Sequence, residues 1–127
     1  MAASSASYHE PLDQLKPDTI NLHRAVVSLM EELEAFDWYR QRADACTDEQ
    51  LRAILVHNMN EEVEHACMTL EWIRRHVPKF DEALKTYLFT TGDVTQLELK
   101  AMAKGEEKAE VPPRPKFRTT IGAMKGS

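Results

Sequence analysis

Two long stretches of helical apolar periodicity, separated by only two or three residues, constrain this chain more than any other feature. The first is expected to start with Asp18 or Thr19 as its cap and to end near Ala45. In "CTDEQL", Thr47 followed three residues later by Gln50 reads as a capping box, and the second helix runs from there to about His76, ahead of Pro78. A break so short leaves the two helices no course but to fold back on each other as an antiparallel hairpin. "HEPLDQLK", residues 9–16, supplies one short turn before the hairpin, and "KFDEALKTYLF", Lys79 to Phe89, reads as a third, shorter helix stopped around Gly92. No internal repeat or strand pattern stands out, so the fold class is all-α: a two-helix hairpin plus a short C-terminal helix.

The apolar residues say what such a hairpin cannot do alone. Leu22, Val26, Leu29, Leu33 and Phe36 form a stripe on the first helix at spacings of four and three, while Ile20, Val27 and Trp38 fall on its opposite side. The second helix carries Val56, Met59, Val63, Ala66, Leu70 and Ile73 in one row, with Leu51, Leu55 and Trp72 on its flank. One hairpin with a short third helix cannot cover all of these, so self-association through more than one kind of interface is expected. The chain divides into a helical domain over residues 1–92 and a charged, alanine-rich and then proline-bearing tail over 93–127, "EVPPRPKFR" included, which reads as an extended flexible linker.

Composition excludes some functions. A formal charge of −5, from 21 acids against 16 bases, argues against nucleic acid and suits the attraction of cations. No apolar run approaches the roughly 20 residues that span a bilayer, and "MAASSASYHEP" has neither a basic n-region nor an apolar h-region, so no membrane association and a cytoplasmic, reducing setting are expected. Cys46 and Cys67 sit at unrelated spacing and read as free thiols, Cys67 as a buried one near the Val63 stripe.

Against this background "NMNEEVEHACM", residues 58–68, is unusual. Glu62 and His65, three apart, project side by side on the flank row with Leu51, Leu55, Asn58, Thr69 and Trp72. Such spacing is weak evidence by itself: 14 Glu and 5 His give about half an E-x-x-H by chance in a chain of this length. Glu32 strengthens it, because Glu32 lies about as far before the turn as Glu62 lies after it, so a hairpin holds them at one level. Glu32, Glu62 and His65 then converge near the hairpin's middle. Di-iron carboxylate bundles use a Glu from each of two helices and a Glu-x-x-His from each of the other two, so this chain carries half the set. A two-fold dimer completes it as a four-helix bundle whose mixed oxygen and nitrogen shell suits iron, manganese or cobalt. Bland alternatives stand beside these readings: Glu62 and His65 also suit a hydrogen-bonded pair at a subunit seam. Glu61 and Glu64, on the polar side with His57, suit a solvated face or a surface cation; Glu31, Glu34 and Trp38 suit an interface edge or a weak cation site. Tyr39, two turns after Glu32 on its side of the helix, suits core packing, a hydrogen bond to a ligand, or electron donation.

The blocks "EELEAFDWY" and "EEVEHA", with "LKTYLFT" after them, resemble the encapsulated ferritins over roughly residues 8–90. The resemblance implies a hairpin that dimerises into a ferritin-like bundle, with dimers closing into a decameric ring, a pentamer of dimers. It also implies ferroxidase activity, with Glu32, Glu62 and His65 from both chains as iron ligands and Tyr39 beside them. Glu31, Glu34 and Trp38 are implied as a metal-attraction site and His57, Glu61 and Glu64 as an outer site for divalent cations. The closing "TTIGAMKGS" is similar to the peptides, here about residues 119–125, that load cargo into encapsulin shells. Thr120, Ile121, Gly122 and Met124 are the implied shell contacts, although Thr119, Ala123 and Met124 depart from the common leucine, serine and leucine. The expectation is an iron-oxidising enzyme serving iron storage and homeostasis inside an encapsulin shell; the alternative is a metal-stabilised helical scaffold or cargo protein without redox turnover.

Overall fold

A computed structural model describes residues 7–107. All regular elements among them are helical: a 3-10 turn at Leu12–Gln14, then α1 (Pro17–Ala45), α2 (Glu49–His76), α3 (Pro78–Tyr87) and α4 (Val94–Glu107). The chain falls into two compact units, Met1–Ile73 and Arg74–Ser127.

The first unit contains the expected hairpin. α1 starts earlier than Asp18, because Pro17 at its first position brings a preset φ and has no N–H to leave unsatisfied. Lys16 is the cap residue, its carbonyl accepting from the N–H groups of Thr19 at 3.0 Å and Ile20 at 3.1 Å. Asp18 instead occupies the first turn, where the helix dipole favours an acid. At the other end the Cys46 N–H closes on the Arg42 carbonyl at 3.0 Å and the helix stops. The start of α2 also differs from the expected Thr47 capping box: the Asp48 carboxylate accepts the Leu51 N–H at 2.8 Å. Asp48 stands directly before the first helical residue, and a carboxylate there outcompetes the neighbouring hydroxyl for the same donors.

Burial confirms that the hairpin does not cover its own apolar stripes. Among the described residues only Ala43, Ala66 and Ile73 are buried apolar groups. Leu33 remains 54% exposed and Val63 41%, although both lie on stripes that should be covered. Leu29, Leu33 and Phe36 of α1 face Val63, Ala66, Cys67 and Leu70 of α2 across an open apolar groove of about 290 Å³, with Glu62 at its wall. Cys67 is therefore exposed, not buried as expected. It does lie on the Val63 side, but none of the described residues closes the groove over it.

In the second unit α3 also begins with proline at its first position and ends at Tyr87, two residues short of the expected Phe89. Phe89 takes a left-handed φ of 59°, which breaks the helix, and Gly92 at φ 90° completes the turn with open space around it. The tail expected to be an extended linker from residue 93 is instead helical over Val94–Glu107. Asp93 caps this helix, accepting from the Thr95 N–H at 2.9 Å and its hydroxyl at 2.6 Å. "LELKAMAK" then supplies residues of high helix propensity, with Leu97 and Ala101 half-buried one turn apart. The charge and alanine content that suggested a linker is equally the composition of a helix, and α3 packing against α4 decides between them.

Asp81 ties the second unit together electrostatically. Its carboxylate pairs with the Arg74 guanidinium and with Lys85 Nζ at 3.0 Å. The hydrogen bond from Lys85, then that from Arg74, hold its carboxyl below the usual value of 3.8. A lowered folded-state pKa stabilises above the unfolded value and is lost as pH falls through the folded one. Asp81→Asn is thus expected to lower Tm modestly at neutral pH, and the gap to wild type should close below pH 3.8; melting curves across that range check it.

Candidate metal centre

α1 delivers Glu32 and α2 delivers Glu62 and His65 to one spot on the hairpin, as the level-matching argument required. His65 Nδ1 lies 3.1 Å from Glu62 Oε1 and 3.4 Å from Glu32 Oε2. One ligand atom from each of the three residues falls within 4.8 Å of the others, a span that one cation can bridge. All three are half-buried, with side chains 26%, 21% and 43% exposed for Glu32, Glu62 and His65. Glu62 makes the hydrogen bond to the ring, but Glu32 Oε2 is buried without a hydrogen-bond partner among the described residues; at 3.4 Å it is attracted to His65 but poorly aligned with it. A carboxylate oxygen held dry and unsatisfied is costly for a chain to keep, and a cation satisfies it. The donor set, two carboxylates and one imidazole, fits a borderline or hard divalent metal.

Burial lowers the His65 pKa, but the Glu32 charge, and then the hydrogen bond and charge of Glu62, outweigh it, so the net shift is upward from 6.5. A raised folded-state pKa means that the protonated trio stabilises the metal-free fold below pH 6.5, and that this contribution is lost as pH rises through the folded value. The imidazolium and any cation drawn to the same two carboxylates would therefore compete. Affinity for Co(II), measured by calorimetry, is expected to fall about tenfold per pH unit once pH drops below the raised His65 value, and release about one proton per site.

The other anticipated groups are arranged less tightly. His57 and Glu64 are exposed and Glu61 half-buried on α2; among the described residues these three do not bring ligand atoms within the 4.8 Å that the central trio achieves. On α1, Glu31 is exposed, Glu34 half-buried and Trp38 49% exposed. Tyr39 is half-buried, and the Arg42 guanidinium lies 5.3 Å from its ring centroid. That cation–π pair escaped the sequence reading, though a basic residue three positions after an aromatic on a helix was its visible signal. The expected shell-binding residues Thr120, Ile121, Gly122 and Met124 lie outside the described residues. None of the described helices is long and apolar enough to cross a membrane.

Comparison with known proteins identifies relatives of this chain. A family model described as EncFtn-like matches residues 7–91, a span that contains the hairpin, the trio and α3. An "Encapsulated ferritin-like protein" of Rhodospirillum rubrum is 63% identical over 98 residues, covering 77% of this chain and 70% of that one. A "Ferritin-like protein" of Thermotoga maritima is 52% identical over 91 residues, 72% of this chain and 80% of its own. The "Encapsulin nanocompartment cargo protein EncC" of Myxococcus xanthus is 28% identical over 123 residues, 93% and 95% of the two chains. A crystal structure of a Nitrosomonas europaea protein superposes with a TM-score of 0.67 at 56% identity, over 68% of this chain and 96% of the other. The matched span, the identity to these relatives and the shared all-helical fold lead to one conclusion: this chain belongs to the EncFtn-like family, the encapsulated ferritin-like proteins.

Proposed function

We propose that two copies of this chain together oxidise Fe(II) to Fe(III) with O₂, at a site to which each copy contributes Glu32, Glu62 and His65. One observation carries this reading: the trio converges beside an uncovered apolar groove and contains a buried carboxylate oxygen with no donor. Three protein ligands are too few to enclose a metal, and the groove is too apolar to stay in water, so one event, pairing of two hairpins across the groove, would remedy both. The pair of chains then offers four carboxylates and two imidazoles, the donor set of di-iron carboxylate bundles.

Within such a site Fe(II) is the substrate, and O₂ is the acceptor of one electron from each iron. The protein's own share is electrostatic and geometric. The Glu32 and Glu62 carboxylates offset the charge of two metal ions, and His65 offers a neutral nitrogen once its proton has left. Their confinement on rigid helices keeps the shell from rearranging as charge increases. Glu31, Glu34 and Trp38, and on α2 His57, Glu61 and Glu64, serve as weak outer cation sites that concentrate Fe(II) and other divalent ions. The Rhodospirillum and Myxococcus relatives are named for encapsulation and for encapsulin cargo. With "TTIGAMKGS" at the end of the chain, that supports delivery into an encapsulin shell through Thr120, Ile121, Gly122 and Met124, and iron storage there. The protein would work in the cytoplasm, inside the nanocompartment.

The test is to add Fe(II) without oxygen, admit air, and follow O₂ uptake with Fe(III) absorbance. The reading expects oxidation well above a protein-free blank. Oxidation no faster than the blank, with metal still bound, would make the trio a structural clamp in a helical scaffold.

A further inference from the structure

Tyr39 stands two turns of α1 beyond Glu32, half-buried and next to Arg42. Seven positions separate it from Glu32, so the two share one flank of α1 about 10 Å apart along the axis. Helical side chains lean toward the N-terminus, which carries the Tyr39 phenol back toward the trio's level. Its hydroxyl makes no hydrogen bond to any described residue, so no polar contact from that end fixes the ring. The ring itself carries a contact with Arg42, whose guanidinium lies 5.3 Å from its centroid. Arg42 stands in the last turn of α1, where the helix dipole favours a cation and where its carbonyl accepts the Cys46 N–H at 3.0 Å. Its backbone closes the helix, which leaves the side chain free for a second task.

We propose that Arg42 is a positioning residue for iron oxidation: its guanidinium caps the Tyr39 ring and holds the free hydroxyl toward the metal centre as a hydrogen-bond donor. This rests on the ferroxidase reading above and adds to it a residue that touches neither metal nor oxygen. The geometry favours Arg over Lys, because a planar guanidinium stacks on a ring and restricts its rotation, whereas an ammonium on a flexible stem does not. Without the cap the ring samples other rotamers, and the hydroxyl spends less time where it is needed. The loss falls on turnover and not on capture of Fe(II), since no metal ligand is altered.

The experiment is a double-mutant cycle on the full-length protein with Arg42→Gln, Arg42→Lys, Tyr39→Phe and Arg42→Gln/Tyr39→Phe. Co(II) binding is measured first in each, then Fe(II) oxidation. Wild type that does not oxidise Fe(II), whether or not it binds Co(II), would sink the underlying reading, whatever Arg42 does. Given an active wild type, Arg42→Gln and Tyr39→Phe should each lower kcat about three- to tenfold with KM for Fe(II) and Co(II) affinity unchanged. The double variant should be no slower than Tyr39→Phe. Arg42→Lys, which keeps the charge at the helix end, should recover Tm but not kcat. Full recovery of kcat by lysine, or Arg42→Gln slowing the Tyr39→Phe protein as much as wild type, would overturn the proposal and leave Arg42 as a helix-end charge.

Discussion

Glu32→Ala, Glu62→Ala and His65→Ala are each expected to reduce Fe(II) oxidation by on the order of a hundredfold or more, to near the protein-free rate. The magnitude follows from sharing. If two copies meet at the site, each substitution removes two ligands from a six-residue set. What remains is neither charged enough to hold two divalent ions nor shaped to keep them close. Stability should move the other way for one of the three. Glu32 Oε2 is buried without a hydrogen-bond donor, so above the raised His65 value, where the imidazole is neutral, Glu32→Ala should leave metal-free Tm unchanged or slightly higher, whereas below it the attraction to the imidazolium is lost and Tm should fall. His65→Ala removes the imidazolium between Glu62 and Glu32 and should lower metal-free stability below pH 6.5, where that proton is bound. Stopped-flow oxidation beside melting curves without metal checks both halves. Activity persisting in Glu62→Ala would place the chemistry elsewhere.

Divalent metal is expected to drive assembly. Without metal, pairing across the groove would bury Leu29, Leu33, Val63 and Leu70 but would bring four carboxylates together, and repulsion among like charges removed from water would oppose the apolar gain. Two divalent ions turn that repulsion into ligation. Sedimentation should therefore find metal-free protein mainly monomeric or loosely associated, and Fe(II) or Co(II) should convert it to a dimer or a larger ring, with the free-energy change contributed by binding at the seam. Glu62→Ala should stay small at metal concentrations that assemble wild type. A stable ring in the presence of chelator would show that apolar contact alone outweighs the charge.

Much of this protein is legible in one dimension. The hairpin was readable because two apolar periodicities of period 3.6 flank a break too short for any other course, and the trio because a hairpin fixes which residues of its arms share a level. Charge and propensity misled where they were ambiguous. Lys, Glu, Ala and Met after Asp93 suit a solvated linker as well as a helix, and Thr47 and Asp48 both suit a cap. Neighbouring geometry settled each case: the Asp48 carboxylate reaches the Leu51 N–H, and α4 packs on α3.

The sequence by itself determined the two long helices, the antiparallel return and the level at which Glu32, Glu62 and His65 meet, because helical periodicity and turn length act over distances that a linear reading can count. Only the tertiary structure decided that Glu32 Oε2 lacks a donor and that Cys67 faces an open groove. These depend on side-chain direction and on solvent access at a few ångströms, quantities that the three-dimensional packing of two helices sets and that no spacing along one of them encodes.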